Sequence, residues 1–112
     1  MSAPRPTVPL VLETPERVPD RMGGHRVQWR ALGVLYAAMR AGSGAERQTE
    51  VGAKSVVVWR ITLRAAKAGD PRRPRPDQRL RMGERVFRID AVAEADAAGL
   101  WLDCLAREEI IT

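Results

Sequence analysis

The stretch VVVWRITLRA, Val56–Ala65, carries the clearest strand pattern in the chain. Apolar residues alternate with mostly polar ones. One predicted face holds Val57, Trp59, Ile61, Leu63 and Ala65, and the other holds Val58, Arg60, Thr62 and Arg64. A period of two residues is typical of a β-strand with one buried face. We therefore expect a sheet with Trp59 in its core.

Two further strands are predicted near the C-terminus, over Glu84–Ala95 and Leu100–Glu109, with a hairpin turn at Asp96–Gly99 between them. One face of the first strand holds Phe87, Ile89 and Ala91, and one face of the second holds Leu100, Leu102 and Cys104. Trp101 is out of phase with its apolar neighbours. This position favours an interface rather than the core for its side chain.

The N-terminal half begins with an extended arm, residues 1–9, because its prolines cannot start a helix or lie inside a sheet. A strand is expected over Leu10–Val18, with Pro15 restricting it to an edge or a bulge. Asp20, Gly23 and Gly24 then predict a turn with positive φ at both glycines. In the strand that follows, the apolar face changes from Val27, Trp29 and Ala31 to Leu32, Val34, Tyr36 and Ala38, which indicates a bulge or bend near Gly33.

Two long loops are predicted between these strands. The first, Ala41–Ser55, is rich in glycine, and one helical turn is expected around Ala45–Thr49. The second, GDPRRPRPDQRLR over residues 69–81, contains three prolines and five arginines. The whole pattern predicts an all-β fold, a small barrel or sandwich of five to six antiparallel strands with at most one short helix. Residues 10–112 are expected to form a single β domain.

Composition argues against several classes of function. Cys104 and His25 are the only residues of their types, so neither a disulfide nor a zinc site nor a thiol nucleophile is expected, and Cys104 is interpreted as a core residue. No convergent catalytic set is apparent, and we predict no enzymatic activity and no cofactor. Secretory signals and long apolar runs are missing, which predicts synthesis in the cytosol and no membrane partner.

The formal net charge is +5, and nearly all positive charge comes from arginine. This predicts contact with carboxylates, phosphates or partner subunits, although a GC-rich genome also produces such a composition. The arginines of the second loop, which could contact DNA phosphates, are Arg72, Arg73, Arg75, Arg79 and Arg81. No aromatic residue is interleaved with them, so a solvated loop and a nucleic-acid-binding protein both remain open interpretations.

The order of motifs resembles one known family. Asp20 and the pair Gly23-Gly24 precede Trp29. After Trp29 come the segment VLYAAMRAGSGAER, a strand that ends in RITLRA, and the segment RLRMGERVFRIDAVAEADAAGLWLDCLARE. This order is similar to that of the head-tail joining family of long-tailed phages, also called head-closure or stopper proteins, and especially its members in gene transfer agents. The family commonly has a Trp-Ala pair where this chain has Tyr36-Ala37, and an aromatic residue where it has Ala65.

The resemblance implies a structural protein of the particle neck, assembled in the host bacterial cytoplasm. Six copies would form a ring between a portal and adaptor complex and a tail-terminator ring, and loops would close the channel on packaged double-stranded DNA. The candidate gate residues, all in the first long loop, are Gly42, Ser43, Gly44, Glu46, Arg47, Glu50, Gly52 and Lys54. The second loop is the candidate contact with a partner or DNA. Alternatives are a small basic β-barrel that binds nucleic acid directly, or another ring of the same neck or tail.

Overall fold

A computed structural model describes residues 4–42, 48–51 and 54–111, with side chains for 4–42 and 55–110. This part of the chain contains strands and no helix, and therefore none that could cross a membrane. The strands are β1 (Val8–Pro19), β2 (His25–Ala41), β3 (Gln48–Val51), β4 (Lys54–Arg64), β5 (Arg79–Met82), β6 (Arg85–Glu94) and β7 (Trp101–Ile111). The predicted all-β class is confirmed.

The strands pair in the order β2-β1-β5-β6-β7-β4-β3, and β2 pairs with β4 as well. Every pairing is antiparallel. Because the β2–β4 pairing joins two strands that are otherwise far apart in this order, six strands form a closed circuit. β3 lies outside the circuit and pairs only with β4.

One hydrophobic core fills the closed circuit. Its central side chains are almost completely inaccessible, and they come from six strands: Leu10, Leu12, Ala37, Ile61, Leu63, Leu80, Phe87, Ile89, Leu102, Cys104 and Ala106. Burying a leucine or phenylalanine contributes roughly 1.5–3 kcal/mol. Of the predicted inward face of Val56–Ala65, Ile61 and Leu63 lie in the core and Trp59 and Ala65 pack against it. Cys104 is buried in the core, as predicted.

The predicted irregularity near Gly33 is present in β2. Leu12 pairs with Gly33 and Glu13 with Ala31, so Leu32 is the additional residue of a bulge. The predicted face beyond it is wrong, however. Leu35, Ala37 and Met39 face the core, whereas Val34 and Tyr36 are 55% and 58% exposed. Both faces of this segment are apolar, so alternation of polarity could not distinguish inside from outside.

A second bulge changes the face of β6. Asp90 is the additional residue between Ile89 and Ala91 in the pairing with β7. Val92 therefore packs against the core, and Ala91, which was predicted to share a face with Ile89, is exposed. Leu100 is also exposed, because it belongs to the turn before β7 rather than to the strand.

The β1–β2 hairpin continues beyond the closed circuit. β1 pairs with β5 only over Val11–Glu13, and β2 pairs with β4 only over Ala37–Ala41. Thr14–Arg30 therefore forms a two-stranded ribbon, called here the β1–β2 extension, and Pro15 lies on its open edge as predicted. The 17 residues of β2 would span about 56 Å when extended, close to the 54 Å longest dimension of the molecule.

The two predicted loops are shorter than expected. Gln48–Val51 forms β3, which pairs antiparallel with β4, and this contradicts a helical turn at Gln48 and Thr49. Ala45–Arg47, the rest of that expected turn, lie outside the described residues. At the end of the second loop, Arg79–Met82 forms β5 between β1 and β6. Both strands have only four residues, which is too short for a clear period in the sequence.

Candidate interaction surfaces

Two of the predicted contact arginines belong to a buried ion-pair cluster. Arg79 Nε donates to Glu13 Oε1 at 2.7 Å, and Arg81 Nε donates to Glu13 Oε2 at 3.1 Å. The Glu13 side chain is only 8% exposed. Burial raises the pKa of this carboxyl, but the hydrogen bonds and charges of both arginines outweigh burial and lower it below its usual value. Arg79 and Arg81 therefore have a structural role.

An aromatic ring also lies beside this cluster, although no aromatic residue is interleaved with these arginines in the sequence. The guanidinium carbon of Arg79 is 4.2 Å from the centroid of the Trp29 ring. The sequence separation hid this contact. β5 pairs with β1, and β1 pairs with β2, so Arg79 and Trp29 become neighbours across three strands.

The other three contact arginines lie in the irregular segment before β5. Arg72 is exposed and pairs with Asp70, which lowers the pKa of the Asp70 carboxyl. Arg73 donates to the carbonyl oxygen of Ala66 at 2.9 Å. The guanidinium of Arg75 has no acceptor among the described residues, and Arg30, Arg73 and Arg75 line a cleft of about 250 Å³ beside the β1–β2 extension. This cleft presents positive charge to solvent.

The candidate gate residues are described only in part. Gly42 follows β2 and donates its N–H to the carbonyl of Val58 at 2.8 Å. Glu50 lies in β3 and pairs with Ser55, while Lys54 begins β4 and pairs with Val51. The remaining candidates lie outside the described residues: Ser43, Gly44, Glu46, Arg47 and Gly52. The segment therefore includes a short hairpin, β3–β4, at the end of the sheet opposite the tip of the β1–β2 extension.

The turn at the tip of the β1–β2 extension is organised by Asp20. Its Oδ1 accepts hydrogen bonds from the N–H groups of Met22 and Gly24, at 2.8 Å and 3.0 Å, and these bonds lower the pKa of the carboxyl. Gly23 has φ +85°, as expected. The expectation of positive φ is wrong for Gly24; the second positive φ in the turn belongs to Arg21, at 67°. A Cβ at Gly24 would lie 2.9 Å from Asp20 Oδ2, so a larger residue there would require the Asp20 carboxylate to shift.

Sequence reasoning missed a second buried carboxylate. Glu108 is on the inward face of β7 and is 4% exposed, and it accepts hydrogen bonds from Arg85 and from Nε1 of Trp59. The bonds from Arg85 lower the pKa of Glu108 more than burial raises it. The period of two would have found this group, since Glu108 is in phase with Leu102, Cys104 and Ala106.

An outer face of the sheet carries exposed apolar side chains from several strands. Val34 and Tyr36 lie on β2, and Leu105 lies on β7. Trp101, half-buried, is covered by Arg64, whose guanidinium carbon is 4.9 Å from the ring centroid. We call these four apolar residues the outer apolar belt. Val34 and Tyr36 are two residues apart on β2 and so share a face, and exposed apolar side chains that lie together are typical of association with a partner.

The described residues offer little for metal or thiol chemistry. They contain no cluster of three or more histidine, cysteine, aspartate or glutamate side chains that could hold a metal ion. Burial, together with the nearby carboxylate of Asp103, raises the pKa of the Cys104 thiol to about 12. At neutral pH the thiol is therefore protonated and buried, and it is a poor nucleophile.

The described residues thus form one closed antiparallel sheet with a filled core and exposed apolar side chains on its outer face. Residues 1–109 match the phage head completion protein family over nearly the whole chain. The chain belongs to the phage head completion protein family, and this membership gives it a structural role in a phage-like virion.

Solved structures that are similar to the chain include the following two. One is a chain of the virion of a native gene transfer agent particle, with 50% identity, a TM-score of 0.84, and coverage of 98% of this chain and 100% of that chain. The other is the solution structure of protein SF1141 from Shigella flexneri 2a, with 24% identity, a TM-score of 0.66 and 96% coverage of each chain, a similarity that concerns the fold alone. A comparison with curated proteins gave no match.

Proposed function

We propose that the chain is a neck component of a phage-like particle, in which six copies form a ring that joins the head to the tail. The outer apolar belt carries this proposal. Val34 and Tyr36 are exposed on β2, a strand that other side chains already anchor in the core, so folding of one copy does not explain their exposure. Contact between neighbouring copies would bury them. The 50% identity to a chain of a gene transfer agent virion supports the same role.

In this proposal the ring lies between a portal and adaptor complex and the tail-terminator ring. The segment Ala41–Ser55 faces the channel and retains packaged DNA, and Arg72, Arg73 and Arg75 contact an adjacent ring or DNA phosphate. A ring in which each copy uses two different surfaces requires heterologous contacts. The β1–β2 extension and the β3–β4 hairpin provide such surfaces at opposite ends of the long axis.

Removal of the gene from a producing strain tests the proposal. The expected products are heads that have packaged DNA and then lost it, and that carry no tails; a wild-type copy supplied in trans should restore both properties. A matched strain carrying Tyr36→Arg should fold but show the same defect, because an arginine in the belt opposes close packing. Normal tailed particles with full DNA content in the deletion strain would reject the neck role.

Direct nucleic-acid binding is the competing function. Electrophoretic mobility shift of the isolated protein distinguishes the two. Submicromolar affinity for DNA at physiological salt, with a steep salt dependence, would favour a nucleic-acid-binding protein. For a neck component we expect only weak binding under those conditions, because Arg79 and Arg81 are occupied by Glu13.

A further inference from the structure

Three arginines occupy directly opposed positions on neighbouring strands. Arg79 of β5 pairs with Arg88 of β6, and Arg88 pairs with Arg107 of β7. Directly paired residues of antiparallel strands share a face, and here it is the outer face, since Leu80, Phe87 and Ala106 point into the core. We call Arg79, Arg88 and Arg107 the arginine row. Like charges directly opposite one another destabilise a sheet, so such a row requires compensation.

The two outer members of the row are compensated within the chain. Arg79 binds Glu13, and Arg107 Nε binds both oxygens of Asp90, at 3.0 Å and 2.8 Å. The central member, Arg88, is exposed, and its guanidinium has no acceptor among the described residues. Of the three arginines in the row, only Arg88 at its centre has no carboxylate bound to it among the described residues.

We propose that the arginine row is a docking surface for an acidic segment of a different protein, which supplies a carboxylate to Arg88. Both compensated arginines already bind carboxylates, and a guanidinium fits a carboxylate with two parallel hydrogen bonds. Half-buried apolar side chains border the row, with Val58 paired to Arg107 and Val86 paired to Arg81. An apolar border suits a protein partner better than the uniformly polar backbone of DNA.

Charge also disfavours the same face of a second copy as the partner, because arginine would then lie against arginine. An acidic partner would instead be attracted to the row. The proposal concerns a surface on β5, β6 and β7, and it is independent of the ring and of the gate segment.

Binding of a fluorescently labelled oligoglutamate peptide by the purified full chain, followed by anisotropy at low salt, tests the proposal. Arg88→Gln should weaken binding about threefold, the effect of losing one exposed ion pair. Arg26→Gln is the matched control, because Arg26 is also exposed and its guanidinium has no acceptor among the described residues, but it lies on the β1–β2 extension. Arg26→Gln should leave the affinity nearly unchanged.

Four results would overturn the proposal. No binding of the peptide by the wild-type chain, or equal effects of Arg88→Gln and Arg26→Gln, would remove the docking role of the row. Tighter binding of a short DNA duplex, with the same loss in Arg88→Gln, would make the row a phosphate-binding surface. Self-association that disappears in Arg88→Gln, measured by analytical ultracentrifugation, would make a second copy the partner. Each result leaves the neck proposal standing, because that proposal is tested on particles made without the chain.

Discussion

Arg85 binds Glu108 through two hydrogen bonds, from Nε to Oε2 at 2.7 Å and from its second terminal nitrogen to Oε1 at 2.9 Å. The guanidinium also lies over the Trp59 and Phe87 rings, 5.7 Å and 5.2 Å from their centroids. Trp59 donates to the same carboxylate. Glu108 therefore links β4, β6 and β7 through its hydrogen bonds to Trp59 and Arg85. Its buried charge is compensated by Arg85, which is partly exposed to solvent.

The first prediction follows from this pair. Glu108→Ala should lower the free energy of unfolding by about 1–3 kcal/mol, because the Trp59 N–H loses its acceptor and Arg85 loses its carboxylate. Urea unfolding measures the change. Glu84→Ala is the matched control, since Glu84 is exposed in the turn between β5 and β6 and should have little effect. Equal stability of the two variants would show that the ion pair contributes nothing.

The second prediction concerns acid. Glu13 and Glu108 both have a pKa below the usual value of 4.5 in the folded protein. Their ionised forms therefore stabilise the fold above about pH 4.5, and this contribution is lost as the pH falls through the lowered values. The unfolding free energy should decrease as the pH falls below about 5. The double variant Glu13→Gln with Glu108→Gln should show a smaller decrease, and an unchanged pH dependence would contradict the assignment.

The third prediction distinguishes Arg79, which belongs to the buried cluster, from the three arginines of the irregular segment before β5. Arg79→Ser should cost about 2 kcal/mol of stability, because Glu13 stays buried with one partner fewer and Trp29 loses its stacked guanidinium. Replacing Arg72, Arg73 and Arg75 together by serine should leave the far-UV circular dichroism unchanged and have little effect on the free energy of unfolding. The triple variant should instead weaken neck assembly or DNA retention in a salt-sensitive way. Loss of the β signature in the triple variant would make the loop structural.

The five arginines of the second loop show why the sequence predicted the loop and not the cluster. Proline and arginine composition correctly indicated irregular chain around Arg72 and Arg75. Arg79 and Arg81 have the same local composition, but they belong to a strand because β1 and β6 lie on either side of it. Their partner Glu13 is more than 60 residues away in sequence, so no local pattern could identify the pair.

The strands were predictable where one face only is apolar. Ile61 and Leu63 alternate with Arg60, Thr62 and Arg64, and their burial follows from that pattern. Beyond Gly33, β2 is apolar on both faces, and only the pairing of Ala37 with Leu63 decides which face is buried. Val34 and Tyr36, whose exposure the alternation did not predict, both belong to the outer apolar belt. In the proposed function, these apolar side chains outside the core form the contacts between copies.

The fourth prediction concerns the turn at the tip of the β1–β2 extension. Gly23→Val should cost on the order of 1–2 kcal/mol, because a β-branched residue is strained at φ +85°. Gly24→Val should also destabilise, but for a different reason: its Cβ displaces the Asp20 carboxylate. Arg17→Val, on the adjacent strand, is the control and should have little effect. In an Asp20→Ala background the carboxylate is absent, so Gly24→Val should lower the free energy of unfolding much less than it does in the wild type. If the effects of the two substitutions simply add, the steric explanation is refuted.

The last prediction tests the gate segment. Replacing Ser43–Gly52 by a turn of about four residues should preserve folding, because β3 lies outside the closed circuit and pairs only with β4. The core strands and the outer apolar belt remain, so rings and tailed particles should still form. Such particles should leak DNA after packaging, which DNA content per particle measures directly. A control that replaces Gln48 and Thr49 by alanine keeps the segment at full length and should retain DNA. If the shortened protein gives particles with full DNA content and normal delivery, the segment has no gating role, and the basic segment around Arg72 becomes the better candidate.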